Sequence, residues 1–404
     1  MTIAPSPWRP ATSIPGTVWL LGFVSMLMDI SSEMVQTLLP LYLVSGLGAS
    51  AALVGLIEGL SVAVATVTKF FSGAFSDIIR NRKHLATVGY GLAALSKLLI
   101  PLADSLTMVA GAKFLDRVGK GIRGAPRDAL IADVTPPEIR GASFGLRKSL
   151  DTVGGFVGPL VAIGLMLATG GSFTTVFWIA VVPAFLAVFL LVAAVREPKT
   201  PADDKRKATP SLKDITLLTP AVWLVIAVAS VLTLARFSEA FLLLLAGEVG
   251  FSIAWIPITM VVMHLVYGLA AYPVGVLSDR VGRRGLLAVS LVFLVAADLL
   301  LATTDGIGFF LAAIVLWGLH MGFSQGILAT LVADTAPSHL RGSAFGVFNL
   351  ATGAAVVAAN LAAGLLWDGY GAAATFVMGA IFSVVALLAL PFLPTSDRKF
   401  STRR

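Results

Sequence analysis

Gly275-Val276-Leu277-Ser278-Asp279-Arg280-Val281-Gly282-Arg283-Arg284 joins two long apolar runs and packs four charges into ten residues. Only 13% of the chain is charged, so such a cluster marks a connection between buried elements. Glycine at 275 allows close helix approach, and Gly282 allows a tight turn at positive φ. Asp279 can cap a helix or pair with an arginine, a bond that can be made in one conformation and broken in another. A partial copy runs from Gly73 through Asp77 to Arg82. It has Ile78 and Asn81 where the second copy has basic residues, and Arg80 where it has Gly282.

The repeat extends outward from these loops. Leu130-Ile131-Ala132-Asp133 through Arg140-Gly141-Ala142-Ser143-Phe144-Gly145 matches Leu331-Val332-Ala333-Asp334 through Arg341-Gly342-Ser343-Ala344-Phe345-Gly346, with the same spacing from Asp to Arg-Gly. The chain is therefore doubled. The polar stretch 196–219, with Asp203-Asp204-Lys205-Arg206-Lys207, divides it into an N-terminal half, 1–195, and a C-terminal half, 220–404.

Composition says what the halves are made of. Of 404 residues, 57% are hydrophobic. Soluble domains carry about 25% charge and about 45–50% apolar residues, so a water-soluble fold lacks the polar side chains to cover its surface. Disorder is excluded by the same figures. At about 20 apolar residues per span, the chain reads as an all-α polytopic membrane protein of twelve helices. The spans are 17–45, 51–76, 85–103, 106–126, 144–168, 173–195, 220–246, 253–277, 285–303, 307–331, 343–367 and 372–393. The Pro-rich first residues hold no cleavage site after a short apolar core, which predicts an uncleaved first span.

Lys and Arg fall in the connections 77–84, 127–142, 196–213, 279–284 and 339–342 and at both ends. The intervening connections 46–50, 104, 169–172, 247–250, 304–306 and 368–371 hold none. Both termini are thus predicted to be cytoplasmic. The net charge of +7 is spread over short loops, which argues against a nucleic-acid partner. Without cysteine there is no disulfide or thiolate chemistry, and no metal-ligand motif stands out.

The most charged span is the fourth. Lys113, Arg117, Lys120, Arg123 and Arg127 follow one another at spacings of 4, 3, 3 and 4, which places them on about one third of a helix. Facing lipid, each mid-bilayer charge would cost from about 2.5 to over 10 kcal/mol. The face therefore points at partners or at a cavity, except where Arg123 and Arg127 reach the cytoplasmic interface. Acids that could neutralise it are Asp29 and Glu33, one turn apart on span one, together with Glu58 and Asp151. The second half offers Arg236 and Glu239 at i and i+3, Asp298, and the polar His320 and Gln325. A carboxylate and a cation in a low-dielectric site can exchange a proton for an ion pair, which is the physical content of proton coupling. Asp29, Glu33, Arg117, Lys120, Asp151, Arg236 and Glu239 are the candidate coupling residues, against the alternative of a static ion-pair network. Arg123, His320 and Gln325 are candidate substrate contacts.

The loop Gly275–Arg284 resembles the cytoplasmic signature loop of the major facilitator superfamily, Gly-x-x-x-Asp-Arg-x-Gly-Arg-Arg. Twelve spans, a central linker and two such loops extend the resemblance over nearly the whole chain. It implies two six-helix pseudo-repeats around a central cavity, with gating by Gly73, Asp77 and Arg82 and by Gly275, Asp279, Arg280, Gly282, Arg283 and Arg284. Gly154-Gly155-Phe156-Val157-Gly158-Pro159 resembles the Gly-x-x-x-Gly-Pro pattern of the family's exporters. Physically, Gly154 and Gly158 form a packing face and Pro159 permits a bend. Arg117-x-x-Lys120-Gly121 resembles the family's fourth-span Arg-x-x-Gln-Gly, whose arginine the family associates with proton coupling.

The resemblance implies a monomeric inner-membrane transporter in contact with lipid. It would export a small organic solute by alternating access, using the proton gradient and no cofactor, and the cationic fourth span predicts that this solute is anionic or amphipathic. The rival reading is a proton-driven importer of an organic anion. An enzyme is disfavoured, because no His-Glu-x-x-His and no Ser–His pair at helical spacing lies within a span.

Overall fold

The structure, a computed structural model, describes residues 14–79, 81–136, 139–195, 215–281, 283–324, 327–337 and 340–393, apart from the side chains of 70, 73–79, 272, 275–281, 329–330 and 333. The linker at 196–214, Gly282 and Gln325 lie outside the described residues. So do the side chains of Asp77, Asp279 and Arg280.

Among the described residues the elements are helices. In chain order they are α1 (Gly16–Gln36), α2 (Leu39–Leu41), α3 (Ala51–Ile79), α4 (Arg82–Leu99), α5 (Leu106–Val134), α6 (Arg140–Ala168) and α7 (Phe173–Ala194). There follow α8 (Pro220–Ala235), α9 (Ala240–Glu248), α10 (Ile258–Val281), α11 (Arg283–Ala302), α12 (Ile307–Ser324), α13 (Ile327–Thr335), α14 (Arg341–Tyr370) and α15 (Ala372–Ala389). Pairing α1 with α2, α8 with α9 and α12 with α13 gives twelve spans in two sets of six. Ten candidate spans are apolar enough to cross a membrane by length and composition alone. The long helices that fall short are α4 and α5, and the charges that disqualify them form the site described below. The repeat is visible in the helix starts: Arg82 and Arg283, Leu106 and Ile307, and Arg140 and Arg341 each lie 201 positions apart.

Two spans differ from the sequence expectation. The fourth was expected to end at 126, yet α5 continues through Pro126 to Val134. Proline leaves the carbonyl four residues earlier without its helical donor. Here the Ser72 hydroxyl donates to that carbonyl, Ile122 O, at 2.6 Å, and the helix survives. The seventh span was expected to be continuous, but it breaks at 236–239. Asn360 on α14 fills the gap: its Oδ1 accepts from the Ser238 N–H at 2.8 Å. Unwound backbone at membrane depth persists only where protein satisfies it in this way.

Contacts divide the chain into two compact units. One comprises Met1–Gln36, Thr68–Val161 and Ser172–Asp203; the other comprises Thr37–Val67, Ala162–Gly171 and Asp204–Arg404. The first is built on α4 against α5 and α1 against α7, around Val18, Leu21, Met28, Tyr90, Ile131 and Leu191. The second packs α11 against α12 and α15, and α14 against α8, around Val225, Leu287, Leu291 and Leu331. The second unit also holds the end of span one, the start of α3 and the end of α6. Contacts therefore group these pieces with the C-terminal half, although the repeat assigns them to the first.

Candidate functional site

In the first unit cations of α4, α5 and α6 meet carboxylates of α1, α5 and α6. Lys97 of α4 lies 3.0 Å from Asp116, both almost fully buried, and Arg117 Nε lies 3.7 Å from the other Asp116 oxygen. Arg123 is buried, sits 4.7 Å over the Tyr90 ring and approaches Asp29 at 3.8 Å. Further along, Arg127 pairs with Asp128 at 3.0 Å and donates to Ser25 Oγ, which in turn bonds the Tyr90 hydroxyl. Arg147 of α6 reaches Asp151 at 3.0 Å and Asp128 at 3.8 Å. Lys120 alone of the five α5 cations has an exposed side chain.

The expected trio of Asp29, Glu33 and Arg117 is thus rearranged. Asp29 faces Arg123, while Arg117 is held beside Asp116. Arg123 and Arg127 are held within the first unit by an aromatic face and a serine. In this conformation Arg123 lies on Tyr90 and near Asp29, and its Nη1 has no hydrogen-bond partner among the described residues.

α6 reaches this cluster through its glycines. A Cβ on Gly154 would lie 2.7 Å from the Met26 carbonyl and 3.0 Å from the Asp29 Cβ. One on Gly158 would lie 2.6 Å from the Glu33 Cβ and 2.8 Å from the Ile30 carbonyl. The two glycines bring α6 against the turn of α1 that bears both acids. Only hydrogen fits there.

In the second unit Arg236 and Glu239 approach at 4.0 Å across the break between α8 and α9. They flank unwound backbone and not the continuous helical face the sequence suggested. His320, expected as a substrate contact, is fully buried, with Nδ1 2.8 Å from the Ser290 hydroxyl and 3.0 Å from its carbonyl. It ties α12 to α11 and presents nothing to a solute here.

α14 closes on α3 within the same unit. The N–H groups of Ala51 and Ala52 donate to the two Asp368 oxygens at 2.9 Å each. A Cβ on Gly55 would meet the Asn360 carbonyl at 2.1 Å, and one on Gly364 would meet the Ala51 carbonyl at 2.4 Å. These contacts hold the start of α3 against the end of α14.

Arg82 pairs with Asp133 and Arg283 with Asp334. The same bond recurs in both repeats at an offset of 201 positions: it joins the first residue of α4 or α11 to the end of span four or ten.

The family model described as Major Facilitator Superfamily matches residues 21–266 and again 240–404. The chain belongs to the Major Facilitator Superfamily. It is 30% identical over 382 residues to an uncharacterized MFS-type transporter of Methanocaldococcus jannaschii, covering 93% of this chain and 94% of that one. Over 174 residues, 40% of this chain and 37% of the other, it is 31% identical to the probable galactarate/D-glucarate transporter GudP of Escherichia coli. Among solved structures, a bacterial homolog of the human lysosomal transporter Spinster, inward-facing and occupied, superimposes with TM-score 0.78 at 15% identity, covering 96% and 97% of the two chains. Membership makes the chain an integral membrane secondary transporter of a small-molecule substrate, not an enzyme.

Several residues of this superfamily member escaped the sequence reading. Lys97 is one, although a lone lysine in a span is a functional signal by itself. Tyr90, Asp128 and the loop partners Asp133 and Asp334 are others. The two loop partners stood in the quoted repeat, but their pairing crosses from one connection to another helix and leaves no local spacing to read.

Proposed function

We propose that this transporter exports a small organic anion in exchange for protons, by alternating access, as a monomer in a bacterial inner membrane with both termini cytoplasmic. The observation that supports it is the buried row Lys97, Asp116, Arg117 and Arg123 with half-buried Asp29, beside exposed Lys120. Cations outnumber acids there, so an anionic group of the solute has a charge to satisfy. Protonating Asp29 would free Arg123 for that anion, and losing the anion would return Arg123 to the carboxylate. Competition for one cation is an economical way to couple two fluxes in opposite directions. Glu33 and Asp151 are the further coupling residues of the first unit, and Arg236 and Glu239 those of the second.

The two six-helix halves, 1–195 and 220–404, joined by 196–219, serve as the rocking bodies. Contacts of α3 with α14 hold one face shut. The loops around Gly73, Asp77 and Arg82 and around Gly275, Asp279, Arg280, Gly282, Arg283 and Arg284 latch the other.

A second reading, proton-driven import of an organic anion, keeps the same site. The partial likeness to the galactarate/D-glucarate transporter supports an organic anion as the solute in either reading. Purified protein in proteoliposomes under an imposed proton gradient distinguishes the two. We expect carboxylates to move against the proton flow. Carboxylates moving with the protons would establish the importer, and exchange of cationic drugs alone would overturn the anion assignment.

A further inference from the structure

The repeat offset of 201 positions exposes a difference between the halves. Lys97 of α4 corresponds to Asp298 of α11, and its partner Asp116 of α5 corresponds to Trp317 of α12. In the first half these positions hold a buried ion pair. In the second they hold a carboxylate and an indole.

Asp298 is fully buried. Neither of its oxygens has a hydrogen-bond partner among the described residues, and Trp317 Nε1 has none either. A Cβ built on Gly379 of α15 would touch Asp298 Oδ2 at 2.6 Å and Phe237 Cε1 at 3.0 Å, so carboxylate and ring converge on that glycine. Phe237 in turn packs on Trp317 and Phe376. The carboxyl group therefore sits among aromatic rings and helix backbone.

Among the described residues no cation pairs with it. α15 carries no ionisable side chain. On α12 the one ionisable side chain, His320, is engaged with Ser290. On the described part of α10, His264 and Tyr267 make no ion pair or hydrogen bond with Asp298. Beside Phe237, Arg236 and Glu239 pair with each other.

A carboxylate left charged and unpaired in an apolar interior neutralises itself by taking up a proton. We propose that Asp298 is a proton-binding site of the C-terminal half, occupied by a proton in this conformation and able to release it only when α11, α15 and the broken seventh span separate. Protonation at this site does not depend on the export reading above; only its use in coupling rests on it. The repeat supplies the logic. A pair that neutralises itself in one half is replaced in the other by a single acid that must borrow its neutralising charge from solvent.

The test is infrared spectroscopy of the purified protein in lipid nanodiscs. At neutral pH we expect a carbonyl stretch from a protonated carboxylic acid, shifted on exchange into heavy water and absent in Asp298→Asn. Asp298→Leu should fold as stably as the native chain, because no partner is lost. Persistence of the band in Asp298→Asn, or its absence from the native protein, would overturn the proposal. Loss of folding in both variants would also overturn it, since it would reveal a structural partner for a charged Asp298.

Discussion

Asp116→Asn is expected to destabilise the protein by about 3–5 kcal/mol, the usual cost of removing one partner from a buried ion pair. Lys97 is 1% exposed and its ammonium lies 3.0 Å from the Asp116 carboxylate. An amide in that place leaves a buried positive charge facing a neutral group, with Arg117 nearby to repel it. Lys97→Met should cost less, because Asp116 keeps Arg117 at 3.7 Å. Replacing both, as Lys97→Met with Asp116→Leu, should recover only part of the loss, since it removes the desolvation cost of Lys97 but leaves Arg117 without its carboxylate. The check is the fraction of monodisperse protein surviving a temperature series in detergent. Equal survival of Asp116→Asn and the native chain would show that the pair contributes nothing.

Gly158→Val is expected to have the second largest effect. The new side chain would need space already filled by the Glu33 Cβ and the Ile30 carbonyl, so α1 and α6 must part. Overpacking of this kind costs about 1–3 kcal/mol. Its functional cost should be greater, because the displaced turn of α1 carries Glu33 and continues to Asp29. Gly164→Val on the same helix serves as the control: nothing lies within 4 Å of its Cβ position. Transport per folded molecule should fall to background in the first variant and stay unchanged in the second. Equal activity in both would remove α6 from the positioning of the acids.

These two predictions differ in how far the sequence foretold them. Gly154 and Gly158 stood out at once, since small residues four apart on an apolar helix announce a close neighbour. The neighbour's identity came only from the fold. Lys97 lay unremarked in a span, and its match with Asp116 spans two helices, which no spacing rule captures. The number and order of spans were legible because apolar runs and basic loops are local properties.

The breaks were not legible. Pro126 looked like an end to span four, but a hydroxyl from α3 repairs its orphan carbonyl. Residues 236–239 contain neither proline nor glycine, yet the helix opens there because Asn360, far along the chain, accepts the freed N–H. Non-local hydrogen bonds decided both cases. His320 failed for a related reason: polarity in a span marks either a cavity or a helix contact, and only its bond to Ser290 distinguishes them.

In the proposed proton exchange by alternating access, protonation of Asp29 and Glu33 shifts the α3–α14 contact between closed and open. The native chain contains no cysteine, so spin labels can be placed without background. Labels on Leu53→Cys and Leu365→Cys, which bracket the contacts of Asp368 with Ala51 and Ala52, report that contact by pulsed electron resonance. The account predicts two distances whose ratio changes with pH, and loss of that change in Asp29→Asn with Glu33→Gln. A single distance, unaltered by pH in the native protein, would contradict it.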